Sequence, residues 1–173
     1  MLVLGGRAGS IAEARALGRA AIADGSALDR FRGVIAAQGG DPRVVDDPGR
    51  LPSARFARAV LAPRAGVVQS LSARAIGRAT MRLGAGRARV DSPIDPAVGV
   101  ILHKKIGDRV ADGEPLATIL ANDEGPGYLQ ARALVEGAFL IGESPVAVAD
   151  LIVERLLGDR QEKIWSPLPL GEG

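Results

Sequence analysis

Val98-Gly99-Val100-Ile101-Leu102-His103-Lys104-Lys105-Ile106-Gly107-Asp108-Arg109-Val110-Ala111-Asp112-Gly113-Glu114-Pro115-Leu116 carries the reading that decides the fold. Residues 98–102 are an unbroken apolar run of strand length. Lys105-Ile106-Gly107-Asp108 and Ala111-Asp112-Gly113-Glu114 are turn sequences, in which aspartate bonds its own backbone and glycine supplies a positive φ. Val110 stands between the two turns and Leu116 follows the second. The stretch therefore predicts a hairpin with Gly107 and Gly113 at its bends and Val110 and Leu116 inward. Residues 115–120 continue it as a further strand.

Downstream, residues 122–127 read as a loop, 128–138 as a helix and 139–141 as extended chain, while 146–157 fit strand or helix equally. Residues 158–173 show little apolar pattern and read as a loose tail. Upstream, residues 59–62 and 67–71 are short strands around the turn Pro63-Arg64-Ala65-Gly66. Ser72 then caps a helix with Ile76, Ala79, Thr80 and Leu83 inward, which Gly84-Ala85-Gly86 ends. Pro42, Pro48, Gly49 and Pro52 among aspartates mark residues 41–53 as a linker.

Ahead of the linker are two helices. Ser10-Ile11-Ala12-Glu13 is a capping box, and Ile11, Ala14, Leu17 and Ala21 share one face of the helix it opens. Asp24-Gly25 ends that helix; Ser26 reads as the cap of the next, striped by Leu28, Phe31, Val34 and Ile35. Short helices with so little apolar surface are marginal alone, so something else must pack on them. The fold class is α+β. Its parts are a helical hairpin at 1–40, the linker 41–53, a mixed domain at 54–157 and the tail 158–173. No internal repeat is found.

Composition narrows the chemistry. The 173 residues are 47% hydrophobic and 24% charged, a globular balance. No apolar run approaches the roughly 20 residues of a membrane span, and the start is too short in apolar residues for a signal peptide. A cytoplasmic setting without membrane contact is expected. With no cysteine, disulfides, thiolate metal sites and cysteine nucleophiles are excluded together. The single histidine, His103, excludes a multi-histidine metal centre within one chain. Between Asp47 and Asp91 there is no acid but nine arginines: Arg50, Arg55, Arg58, Arg64, Arg74, Arg78, Arg82, Arg87 and Arg89. Such a local field wants a negative partner.

Five candidates for chemistry follow. Gly84-Ala85-Gly86-Arg87-Ala88-Arg89 begins like a dinucleotide fingerprint but follows a helix and lacks the third glycine. A helix stop is the plainer reading. Gly5-Gly6-Arg7-Ala8-Gly9-Ser10 precedes a helix N-terminus, where an anion binds readily, but has no Walker lysine; an entry loop is favoured. His103 beside Lys104 and Lys105 is a conceivable general base, but no neighbouring carboxylate orients the ring. Arg74, Arg78 and Arg82 share one helix face, where like charges repel unless acids or phosphates meet them. With aromatics at 3% and none interleaved, stacking on single-stranded nucleic acid is not expected, and an interface is the favoured reading. Asp91, Asp95, Asp108, Asp112, Glu114, Asp123 and Glu124 sit mostly at turns, where backbone bonding accounts for them better than paired acid–base work.

Two resemblances add to this reading. The pattern G-D-x-V-x-x-G-x-P-L at 107–116 is similar to biotinyl and lipoyl carrier domains, but no lysine follows before Lys163 to serve as the modified group. A free-standing barrel-sandwich binding or carrier module is thus the alternative reading. The broader resemblance rests on an ordered set of segments. These are Ser26-Ala27-Leu28-Asp29-Arg30-Phe31, Ala36-Ala37-Gln38-Gly39-Gly40-Asp41-Pro42, Ala62-Pro63-Arg64-Ala65-Gly66-Val67-Val68, Leu83-Gly84-Ala85-Gly86-Arg87, Ile94-Asp95-Pro96-Ala97-Val98-Gly99 and Ala121-Asn122-Asp123-Glu124. Together they resemble the C-terminal portion of the thymidine phosphorylase and pyrimidine-nucleoside phosphorylase family, from about residue 1 to 156. Residues 139–157 follow the family loosely, and the tail after 158 does not.

The resemblance implies a pentosyltransferase in which inorganic phosphate displaces the base of a pyrimidine nucleoside. It implies that the hairpin ends a larger missing domain, with Met1 internal to a longer enzyme. Residues 54–157 would then form an α/β-hammerhead with a barrel-sandwich-like core. The expected partners are the missing N-terminal portion, a second subunit in a homodimer, and the nucleoside; nucleic acid is not expected. The family's catalytic and phosphate-binding residues lie upstream. No catalytic, cofactor-binding or metal-binding residue is therefore assigned here, and the chain alone is expected to be inactive.

Overall fold

The computed structural model describes residues 1–87 and 90–147, and the backbone of 154–157 and 160–163. The chain divides into two compact units, Met1–Ser53 and Ala54–Gly173. The first unit is helical. α1 (Ile11–Ala23) starts as the capping box predicts: Ser10 Oγ accepts from Glu13 N–H, and the Glu13 carboxylate accepts from Gly9 N–H. α2 (Ser26–Ala37) departs from expectation at its start. Ser26 is its first helical residue, not its cap; Gly25 holds the cap position, and the Asp24 carboxylate accepts the Ser26 N–H at 2.8 Å. An ionised carboxylate is the stronger acceptor, and its charge suits a helix N-terminus. Asp24 is accordingly held below the usual carboxylate range.

Residues 41–53, read as a linker, are short helical turns belonging to this first unit. Pro42–Val45 and Pro48–Arg50 each form a 3-10 turn capped by an aspartate, Asp41 and Asp47. Arg32 of α2 pairs with both Asp29 and Asp46. Asp41 pairs with Arg43 at 2.8 Å and Arg50 at 3.2 Å, which hold its carboxyl far below the ordinary range. The prolines that read as linker serve as first residues of these turns.

The second unit is α+β, with two three-stranded antiparallel sheets. β1 (Phe56–Leu61), β3 (Gly99–Leu102) and β5 (Pro115–Ala121) form one, in the order β1-β5-β3. β2 (Gly66–Leu71), β4 (Arg109–Val110) and β6 (Phe139–Gly142) form the other, in the order β4-β2-β6. β1 begins three residues before the expected strand, because Phe56 to Arg58 pair with Ala121 to Ile119. The Pro63–Gly66 turn does not fold β1 onto β2; it carries the chain from one sheet to the other.

The 98–116 stretch makes a similar crossing, which corrects the simple hairpin. β3 pairs directly with β5, Gly99 opposite Leu120 and Leu102 opposite Ala117. β4 between them leaves to pair with β2. Both bends have positive φ, 93° at Gly107 and 73° at Gly113, where a Cβ would be strained. They are pinned to the other crossing: Gly107 N–H donates to Val68 O and Gly113 N–H to Ala62 O. Val110 and Leu116 are buried as predicted.

Two helices cover the first sheet. α3 (Ala73–Leu83) is capped by Ser72 Oγ, which accepts from Ala75 N–H, and stops at Gly84. α4 (Pro126–Glu136) begins two residues before the expected helix. Val60, Ala79, Ala117, Ile119, Ala121, Tyr128, Ala131 and Val135 form the core between helices and sheet. A second cluster, Ala62, Val68, Val110, Leu116 and Ile141, joins the sheets, and Phe139 packs on both. The small residues Ala79 and Ala131 let α3 and α4 approach closely. At Gly127 a Cβ would stand 2.7 Å from the Arg82 carbonyl oxygen, so only glycine fits there.

The ambiguous segment 146–157 ends in a strand, β7 (Glu154–Leu157), and the remainder of that reading lies outside the described residues. β7 pairs antiparallel with β8 (Arg160–Lys163), so part of the expected tail is strand. Arg-Gln-Glu-Lys has no apolar alternation to announce this; the ladder with β7 supplies it.

Candidate functional site

The sequence candidates for catalysis resolve into structural roles. His103 is exposed at the end of β3, and its Nε2 meets Thr118 Oγ1 at 2.7 Å; no carboxylate among the described residues orients it. Lys104 pairs with Glu114 at 2.5 Å. Glu114 also accepts the Ala111 N–H, and the two contacts, Lys104 foremost, hold its carboxyl below the usual range. Asp108 accepts the Lys105 N–H, Asp123 the Gly125 N–H, and Asp95 the Ala97 N–H. Glu124 forms an ion pair with Arg58. Turn and pairing chemistry thus absorbs these acids, and no cluster among the described residues has the makings of a metal site.

The glycine-rich candidates fare alike. The α1 N-terminus, the candidate anion cradle, is filled by the chain's own Glu13 carboxylate. Gly84 is the left-handed stop of α3, as the plainer reading holds, and Arg89 lies outside the described residues.

One polar junction gave no sequence signal beyond an asparagine at a strand end. Asn122 Nδ2 donates to Asp95 Oδ2 at 2.6 Å, and Asn122 Oδ1 accepts the Arg55 N–H at 2.9 Å. Asp95 N–H in turn donates to the Gly84 carbonyl. The junction ties the entry to β1, the exit of β5 and the end of α3. Its polar atoms satisfy one another, which makes it a structural clasp.

Several of the nine basic-stretch arginines find partners within the chain. Arg50 pairs with Asp41 and Arg58 with Glu124. Arg64 donates to the Ile141 carbonyl. Arg55 and Arg58 lie over the Phe56 ring at 5.9 and 5.2 Å. The α3 row differs: Arg74, Arg78 and Arg82 are all exposed, and none has an ion pair among the described residues. Each like-charge pair at four-residue spacing costs α3 about 0.2–0.5 kcal/mol. Arg74 in the first turn also opposes the helix dipole, and Gly77 in mid-helix costs about 1 kcal/mol relative to alanine.

The first unit offers a different surface. Neither α1 nor α2 has a buried residue. Leu28, Phe31, Ile35, Val44, Val45 and Leu51 line an open apolar trough of about 560 Å³, and Phe31 is 54% exposed.

Comparison with known proteins puts these surfaces in context. Residues 67–135 match the family described as pyrimidine nucleoside phosphorylase C-terminal domain. The chain is 44% identical over 156 residues to a pyrimidine-nucleoside phosphorylase of Geobacillus stearothermophilus, covering 90% of this chain and 36% of that one. It is 48% identical over 124 residues to one of Bacillus subtilis, covering 72% and 29%. For one of Staphylococcus aureus strain USA300 the identity is 41% over 157 residues, covering 91% and 34%. The chain thus spans about a third of the length of these curated relatives. The resemblance reaches well beyond the matched domain in both directions, and the chain is a C-terminal portion of the pyrimidine-nucleoside phosphorylase family.

Proposed function

We propose that this chain is the C-terminal part of a phosphorolytic pentosyltransferase acting on thymidine or related pyrimidine nucleosides. The 44% identity over nine-tenths of the chain carries the reading. In the complete enzyme, inorganic phosphate attacks C1′ of the sugar, the glycosidic C–N bond breaks, and the free base and a (2-deoxy)ribose 1-phosphate result. No cofactor enters this balance. The chain's part is architectural. The hairpin presents its apolar trough to the upstream portion of the enzyme.

Two sheets exchanging strands through pinned glycine bends support the barrel-sandwich and hammerhead description of residues 54–157. Assembly as a homodimer and a cytoplasmic role in nucleoside salvage belong to the same proposal. The isolated chain is catalytically silent, because the catalytic and phosphate-binding residues that the family resemblance implies lie in the portion upstream of it.

The test is a chimera in which this chain replaces the matching C-terminal third of the Geobacillus stearothermophilus enzyme. Phosphate-dependent release of thymine from thymidine is followed by ultraviolet absorbance. The expected result is turnover by the chimera and none by the chain alone. A soluble, folded chimera without turnover overturns the assignment, and turnover by the isolated chain overturns its silence.

A further inference from the structure

The outer face of α3 is at odds with its own helix. Arg74, Arg78 and Arg82 repel one another along it, and Arg74 sits at the positive end of the helix dipole. Gly77 lies between them, and a Cβ built there meets nothing within 4 Å, so no packing inside the chain requires glycine. Met81, one turn on, is 45% exposed. The inner face, by contrast, is well anchored by Ala79, Ile76 and Leu83. Both ends are capped. A firmly held helix that breaks several local rules on its solvent side alone marks a surface selected for something other than its own stability.

We infer that this face docks an acidic polypeptide segment, with carboxylates against Arg74, Arg78 and Arg82 and a backbone or small apolar group seated over Gly77 beside Met81. Four helical residues rise about 6 Å, so the row presents charges at about 6 Å steps over about 12 Å. A partner helix with acids at i, i+4 and i+8 matches that repeat in register. A nucleic acid explains the arginines but has no use for Gly77 or Met81. Nor does the face carry the interleaved aromatics that bases stack on. Guanidinium–carboxylate pairs supply orientation, and the glycine notch sets how near the partner comes. The inference stands apart from the phosphorylase reading and survives its failure.

The experiment uses the full chain and a fluorescent, alanine-rich helical peptide with glutamate at i, i+4 and i+8. A peptide of equal net charge with adjacent glutamates, and a single-stranded dT20, serve as competitors. Binding is read by anisotropy at low salt, and circular dichroism confirms that each variant folds. The spaced peptide is expected to bind at least tenfold tighter than the adjacent one. Arg78→Glu should lower that affinity at least tenfold, and a peptide with lysine at the central position should restore binding to this variant. Gly77→Ala should raise the melting temperature yet weaken the peptide several-fold. Equal affinity for both peptides, no binding, or tighter binding of dT20 overturns the inference. So does a Gly77→Ala variant that binds unchanged.

Discussion

At the residue scale, burial decides which side chains matter. Ile119 and Leu116 are fully buried, and truncating either to alanine should cost about 2–5 kcal/mol through lost transfer energy and the cavity left behind. Ile101, 48% exposed in the neighbouring strand, should tolerate the same change within about 0.5 kcal/mol. Urea denaturation of the three variants checks the contrast. Gly127→Ala should cost about 1–3 kcal/mol despite adding one methyl, since that methyl drives against the backbone at Arg82 and pries α3 from α4. Asp24, by contrast, shows how a residue read as a stop signal does two jobs: it ends one helix and accepts the first free N–H of the next.

At the element scale, the segment from β3 to β5 is held at its turn by Glu114. Its carboxylate joins the Lys104 ammonium and the Ala111 N–H, and its folded pKa lies below the unfolded value. A depressed pKa means stability present above the ordinary carboxylate range and lost as pH falls through the folded value. Wild-type stability should therefore fall on acidification below about pH 4.5, the ordinary value for this group. Glu114→Gln should show a shallower acid limb in melting curves taken from pH 7 to 3. At this scale the sequence was legible where the signal is local. Ser72, Gly84, Gly107 and Gly113 carry caps and bends in their own chemistry, and Val110 and Leu116 announce their burial by flanking turns. Pairing partners were not legible, because nothing near β3 in sequence says that β4 will leave for the other sheet. Likewise, the spacing of Arg74, Arg78 and Arg82 was visible from the start. That they lack acid partners among the described residues required knowing what every other element brings near them.

At the scale of the whole molecule, the two units differ in how much core they own. The second closes two apolar clusters, whereas the first buries no residue of α1 or α2. Amides of α1 and α2 should therefore exchange with deuterium far faster than those of β5, a contrast that hydrogen-exchange mass spectrometry reads directly. Equal protection in α1, α2 and β5 would mean that the helical unit finds its missing apolar cover in this chain alone.

The register of β1 against β5 sets a timetable for synthesis. Phe56 pairs with Ala121 and Leu61 with Pro115, so β1 has no ladder partner until some 60 further residues have been made. At 5–20 residues per second, that wait is roughly 3–12 s. Throughout it an apolar strand edge is open to the wrong neighbours. Arg55, just before that strand, and Arg58 within it flank Phe56. Charges so placed are expected to act as gatekeepers, keeping a waiting strand soluble until its own partner leaves the ribosome.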